Sequence, residues 1–288
     1  MDTNKESAAR AIFNVKHLPP LSTTATQLLQ AVSDDEIDLK ALAAIIDQDP
    51  GIAARIVGLA NSAYFAQPSP VYSVEEAIIR VLGLNMVKSL ALGISVAGVF
   101  EVDKCPAFDL PGYWFQALAA GQLARTLVML VPVAKRPDPA ALYLAGLFHN
   151  LGALLLVHTL GEAYGEVLHA ASKNPTESLI AIEKAQLGID HQEAGAWLAE
   201  RWHLPGVIVT MMTRLGDDDY SGDYQTEVNL LTGAVDWVSC IRTSDAYALS
   251  DSDWLKGIEG FNRERLPQIE EAFRRQLDDL ELVARQLA

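Results

Sequence analysis

The polar residues able to do chemistry in this sequence are few, and most stand in apolar surroundings. His149 and Asn150 lie side by side in YLAGLFHNLGALLLVHTLG, an otherwise apolar run of helix length. An imidazole next to a carboxylate would make a metal-ligating pair. An imidazole next to a carboxamide offers one good ligand and one neutral carbonyl oxygen. Gln116, His191 and Asp236 complete the set. Taken singly each is weak: a histidine on an apolar helix is more often a hydrogen-bonded core residue than a ligand. Asp236, in GAVDWVSC, can be satisfied by a backbone or indole donor. No glycine-rich phosphate loop opens a helix, and neither a zincin spacing nor a nucleophile elbow is present.

Composition bounds what these residues can serve. The 288 residues give room for one large domain or two modest ones; half are hydrophobic and 20% are charged, as in ordinary globular proteins. The formal net charge of −15 argues against phosphate-driven nucleic-acid binding and against docking on an anionic membrane. Cys105 and Cys240 are the only cysteines and lie far apart, which fits a reducing compartment and excludes a disulfide framework. The opening MDTNKESAARAIF lacks the charged-then-apolar order of a signal peptide. The window 140–161 is uncharged and long enough to span a bilayer, but it holds His149, Asn150, His158 and three glycines. It reads as a core helix broken near Gly152, and the protein as cytoplasmic.

The elements that must position these residues are helical throughout; no convincing run of alternating strand residues occurs. Asp49 and Pro50 open DPGIAARIVGLANSAYF as N-cap and first helical residue. Ser73 with Glu76 makes a capping box for VEEAIIRVLG, which Gly83 ends, and Asp190 with Glu193 makes another for HQEAGAWLAERW. LNMVKSLALGISVAGVF is apolar nearly all round and should be central to its bundle. LGDDDYSGDYQTE reads as an exposed loop. Leu266, Ile269, Phe273, Leu277, Leu280 and Leu287 recur at helical spacing; docking on the chain's own fold is expected, with a homodimer contact as the alternative. The composition shift at EVDKCPAFDLPGYW predicts two lobes, 1–108 and 109–288.

Several segments resemble the HDOD family, the HD-related output domain of bacterial signalling proteins. They are LPPLSTTATQLLQAV, IIDQDPGIAARIVGLANSAYF and VYSVEEAIIRVLGLNMVKSLAL, then YWFQALAAGQLA, AGLFHNLGALLL, GIDHQEAGAWLAERWHLP and AVDWVS. They cover residues 15–240 in the expected order. The resemblance implies an all-α fold, a helical bundle of two lobes whose second lobe is similar to the HD phosphohydrolases. In those enzymes histidines and aspartates on successive helices hold metal ions that activate water. Carried over residue by residue, the first histidine position is Gln116, the His-Asp pair is His149 and Asn150, and a later histidine is His191. The closing aspartate is Asp236, and a frequent His-His pair aligns near Met212 and Thr213.

Charge arithmetic then disfavours catalysis. A pair of divalent cations needs anionic oxygen donors, and the water they activate needs a strong Lewis acid. Asn150 and Gln116 are neutral, Met212 offers a thioether and Thr213 a hydroxyl. His149, His191 and Asp236 alone would hold one transition metal at most; no metal and no cofactor are expected. The retained pair reads as packing, His149 and Asn150 joining a buried network with Asp236, where a neutral amide avoids the desolvation cost of an unpaired carboxylate.

The resemblance therefore implies a non-catalytic output or adaptor module, in two-component or cyclic-dinucleotide signalling, acting on a partner signalling protein. Asn61, Ser62 and Tyr64 form the candidate interaction patch, with helix capping and packing as the simpler explanation. Two alternatives stay open: a metal-dependent phosphohydrolase acting on a nucleotide through His149, His191 and Asp236, and a nucleotide sensor between the lobes without turnover.

Overall fold

The computed structural model describes residues 18–34, 36–174, 176–241 and 247–288, so the expectation about residues 1–13 lies outside the described residues. The described residues are helical, with no strand. The first helices are α1 (Thr23–Val32), α2 (Leu39–Ile46), α3 (Pro50–Ala60), α4 (Val74–Ala77) and α5 (Leu84–Ala97). They are followed by α6 (Leu110–Leu127), α7 (Pro139–Phe148), α8 (Leu151–Leu160), α9 (Glu162–Lys173), α10 (Leu179–Leu187), α11 (His191–Arg201) and α12 (Gly206–Thr213). The last are α13 (Gln225–Ile241), α14 (Asp253–Lys256), α15 (Leu266–Arg274) and α16 (Leu277–Leu287).

Local chemistry starts these helices. Ser22, Asp38, Asp109, Asp138 and Ser178 each accept a backbone N–H from the first turn that follows them. Asp49 caps α3 by accepting from Gly51 and Ile52, with Pro50 at the first position. At α11 the capping box is complete: Asp190 accepts from the Glu193 N–H at 2.8 Å, and Glu193 reaches back to the Asp190 N–H at 3.2 Å. At α4 it is shifted, because Glu76 bonds the N–H of Tyr72 instead of that of Ser73. The helix after α4 also widens into a π turn over Ile78–Leu82, which ends where Gly83 takes φ 77°.

The core is continuous from Leu28 to Leu287. Residues 86 to 96 of α5 are all buried, the all-round burial its composition predicts. α5 packs against α1, α3 and α7, and α6 packs against α7, α13 and α16. Two close approaches are made by glycine. A Cβ on Gly146 of α7 would lie 2.2 Å from the Gly121 Cα of α6, and one on Gly152 of α8 would lie 1.9 Å from the His191 carbonyl oxygen of α11.

Two sequence expectations change here. The apolar window is broken near Gly152 as expected, but at His149 and Asn150, where Asn150 adopts φ −99° and ψ 11°, while Gly152 itself lies within the first turn of α8 against α11. The C-terminal leucine repeat is two helices, not one, with the break at Arg275 and Gln276. α16 buries Leu280, Val283, Ala284 and Leu287 on α6, on α3 and on the short turn Ala63–Phe65. The stretch Pro139–Leu160 has the length and composition to cross a membrane, yet its most apolar window is 83% buried within the fold.

Candidate functional site

His149 closes α7, and its ring lies inside the protein at 3% exposure. Its Nδ1 is 2.7 Å from the Gly146 carbonyl oxygen. A carbonyl can only accept, so Nδ1 carries the proton and Nε2 presents a lone pair. Burial, joined by the field of His191, holds its pKa down at about 4, with the Gly146 bond opposing.

His191 opens α11, and both its backbone N–H (3.0 Å) and its Nδ1 (2.7 Å) bond one oxygen, Oε2 of Glu183. Glu183 lies on α10 with no exposed surface, and its other oxygen accepts the Tyr164 hydroxyl at 2.6 Å. Burial works against charging His191, but the Glu183 hydrogen bond and the charges of Glu183 and Asp190 together raise its pKa. Burial and the Glu183 carboxylate push the Tyr164 hydroxyl up in turn. Asp190, buried beside them, caps α11 and pairs with Lys184 at 2.9 Å.

The glycine contact of Gly152 on the His191 carbonyl brings α8 and α11 together, so His149, Asn150 and His191 share one region. The remaining positions have partners of their own or none. Asp236 accepts from the Trp254 indole Nε1 at 2.7 Å, and burial raises its pKa against that bond. Among the described residues no hydrogen bond joins His149 or Asn150 to Asp236; the carboxylate bonded to His191 is Glu183. Gln116 keeps a buried Oε1 with no hydrogen-bond partner. Met212 is buried against Gly195, whereas Thr213 is exposed.

Among the described residues no three histidine, cysteine, aspartate or glutamate side chains are grouped to hold a metal ion. The donors do not fit a metal pair: Glu183 is committed to His191 and Tyr164, Asp236 to Trp254, and Asn150 and Gln116 carry no charge. Sequence reasoning missed Glu183. A signal was present, since Glu183 sits three residues after Ile180 and four before Leu187, on the apolar stripe of α10.

The candidate interaction patch is engaged internally. The Asn61 carboxamide makes two 2.8 Å bonds to the backbone of Val71, donating to its carbonyl and accepting from its N–H, and so pins the loop 62–70. Ser62 is buried and donates to the Leu59 carbonyl. Tyr64 packs edge-on against Phe65 and contacts Gln276 next to α16; burial pushes its hydroxyl pKa up to about 12.

The His149 environment makes stability depend on pH. A histidine whose folded pKa of about 4 lies below its ordinary 6.5 stabilises the fold fully above pH 6.5 and loses that contribution as the pH falls toward 4. His191, with a raised pKa, acts oppositely: its contribution is complete below 6.5 and is lost as the pH rises through its folded value. Urea unfolding of wild type and His149→Gln from pH 7 to pH 4 isolates the His149 contribution. The wild-type advantage is expected to shrink by about 3 kcal/mol over that range. A constant difference would mean that His149 is not buried in its neutral form.

An all-helical bundle whose adjoining helix ends hold two oriented imidazoles, with amides at neighbouring positions of the motif, defines the class: an HD-related helical domain. The HDOD domain family model matches residues 18–216, and the chain belongs to that family. It is 27% identical over 209 residues to an uncharacterized protein of Treponema pallidum (strain Nichols), a match covering 70% of this chain and 38% of that protein. A crystal structure of an HDOD domain protein from Geobacter sulfurreducens superposes with a TM-score of 0.78 at 19% identity, covering 100% of this chain and 99% of that one. One from Marinobacter aquaeolei VT8, provisionally named a signal transduction protein, gives 0.79 at 24% identity over 99% of this chain and 66% of that one. A third, from Shewanella amazonensis SB2B and provisionally named a phosphohydrolase, gives 0.74 at 23% identity, covering 97% and 98%. These likenesses establish the fold. The chain spans well under half of the Treponema protein and about two thirds of the Marinobacter one.

Proposed function

We propose that this chain is a non-catalytic output or adaptor module of bacterial signalling, working in the cytoplasm by binding a partner protein. Residues 1–108 would form one lobe and 109–288 the HD-like lobe. The observation that carries the reading is the commitment of the carboxylates. Glu183 is bonded three times within the fold, Asp236 is held by Trp254, and the position after His149 is an amide. Two imidazoles without an anionic oxygen cannot offset the charge of a cation pair or lower the pKa of a bound water to about 7. What remains holds α7, α8, α10 and α11 in register.

Elemental analysis of protein purified without chelator, with phosphomonoester and phosphodiester assays in Mn²⁺ or Ni²⁺, tests this. The expected result is no stoichiometric metal and no turnover. Bound metal together with hydrolysis abolished by His149→Ala would establish the phosphohydrolase reading instead. Capture of the full chain from its native cell is expected to retrieve a signalling protein.

A further inference from the structure

The strongest unassigned feature is a cleft of about 320 Å³ between α1 and α5 on one side and α7 and α12 on the other. Lys88 of α5 lines it at 7% exposure. Its Nζ donates to the Asp34 carbonyl oxygen at 2.9 Å, and among the described residues no carboxylate pairs with it. An ammonium on a largely buried stem with one neutral acceptor has two further N–H donors to offer. In a chain of net charge −15, such an unmatched cation stands out.

The surroundings complete an anion-binding set. Asn85, Lys88 and Ser89 lie at helical spacing on one face of α5, all lining the cleft. The start of α5 has no side-chain cap, because the preceding residue is Gly83 at φ 77°, so the first N–H groups of this 14-residue helix have no intrahelical or capping partner. A second depression of about 510 Å³ adjoins the first. It shares Asn85, Asp138 and Ala140 with the cleft and adds Gly83, Leu84, Met86 and Arg125. Asp138 is the one carboxylate among the lining residues, and its two oxygens already accept from the Ala140 and Ala141 N–H groups at the start of α7. The opposite wall is apolar, formed by Ala141, Leu144, Val207 and Ile208.

We propose that this cleft binds a small phosphorylated metabolite, its phosphate at Lys88, Asn85 and the first turn of α5, and its body along the wall of Ala141, Leu144 and Ile208. A tetrahedral anion can accept from the ammonium, the amide and the uncapped N–H groups together, which a flat carboxylate does less completely. Occupancy would join α5 to α7 and α12, giving the module a small-molecule input. This goes beyond the adaptor reading and does not depend on it, since the cleft is built without His149 or His191.

The test is a titration of the ¹⁵N-labelled full chain with inorganic phosphate and with ribose 5-phosphate, ionic strength held constant with chloride. Saturable amide shifts are expected at Leu84, Asn85, Met86 and Ser89, with ribose 5-phosphate binding about tenfold more tightly than phosphate. Lys88→Met keeps an unbranched apolar stem and should weaken both by at least about tenfold. Lys135→Met, which removes an exposed cation elsewhere, should change neither. Should Lys88→Met not fold, Asn85→Leu is read at the same amides with the same expectation. Shifts that never saturate, that centre on other helices, or that persist at equal affinity in the variant would overturn the site.

Discussion

Glu183→Ala is expected to lower the stability of the protein by about 3 to 5 kcal/mol, as removal of one partner from a buried pair does. The side chain has no exposed surface and receives the Tyr164 hydroxyl, the His191 N–H and the His191 ring N–H. Alanine leaves all three donors facing apolar packing, each with its own desolvation cost. It also removes the negative charge that raises the His191 pKa. Glu183→Gln separates these effects: its single carbonyl oxygen can still accept, but the charge is gone, so the loss should be smaller and the His191 ring should titrate at lower pH. Urea unfolding gives the stabilities and histidine NMR titration gives the pKa. A loss below about 1 kcal/mol for the alanine variant would show that the three donors find other acceptors.

Gly152→Ala is expected to be at least as damaging, costing more than about 4 kcal/mol or preventing folding. The new methyl would lie 1.9 Å from the His191 carbonyl oxygen and 2.4 Å from the Gly195 nitrogen. Both are backbone atoms, so no rotamer change relieves the clash and α8 must separate from α11. The separation would also carry His149 away from His191, so the field of His191 on the His149 ring should weaken. Gly58→Ala is the control. It sits exposed within α3 with nothing within 4 Å of the added carbon, and should stabilise by about 0.5 to 1 kcal/mol through helix propensity alone. Thermal unfolding of the two variants side by side distinguishes a packing clash from a general intolerance of substitution.

How much of this was readable beforehand follows the range of the interactions. Caps were legible because a cap is a contact across three or four residues: Asp49 with Pro50, and Asp190 with Glu193, carry their geometry in their spacing. The central place of α5 was legible because an all-round apolar helix has only one kind of place to go. The break in the apolar window was legible near Gly152 but not its place at His149 and Asn150, since that depends on a ring nitrogen bonding the Gly146 carbonyl while α8 is drawn onto α11. The kind of donor that Asp236 finds, an indole, was legible, but not which one, because Trp254 lies on a helix that approaches only in the folded chain. At the site, the amide beside His149 was visible from residue types alone, whereas Glu183 was hidden by the ordinary assumption that a glutamate faces water. Once folded, it is the anion on which two neighbouring elements converge.

The family match stops at residue 216, but the apolar interior does not. α16 closes over Leu59, Met86, Leu90 and Leu118 with Leu280 and Val283, and Trp237 of α13 is wholly enclosed. A fragment trimmed to the limits of the family match would therefore uncover greasy surface that the last quarter of the polypeptide normally shields. What recurs in sequence and what folds as a self-sufficient unit are different lengths of this chain.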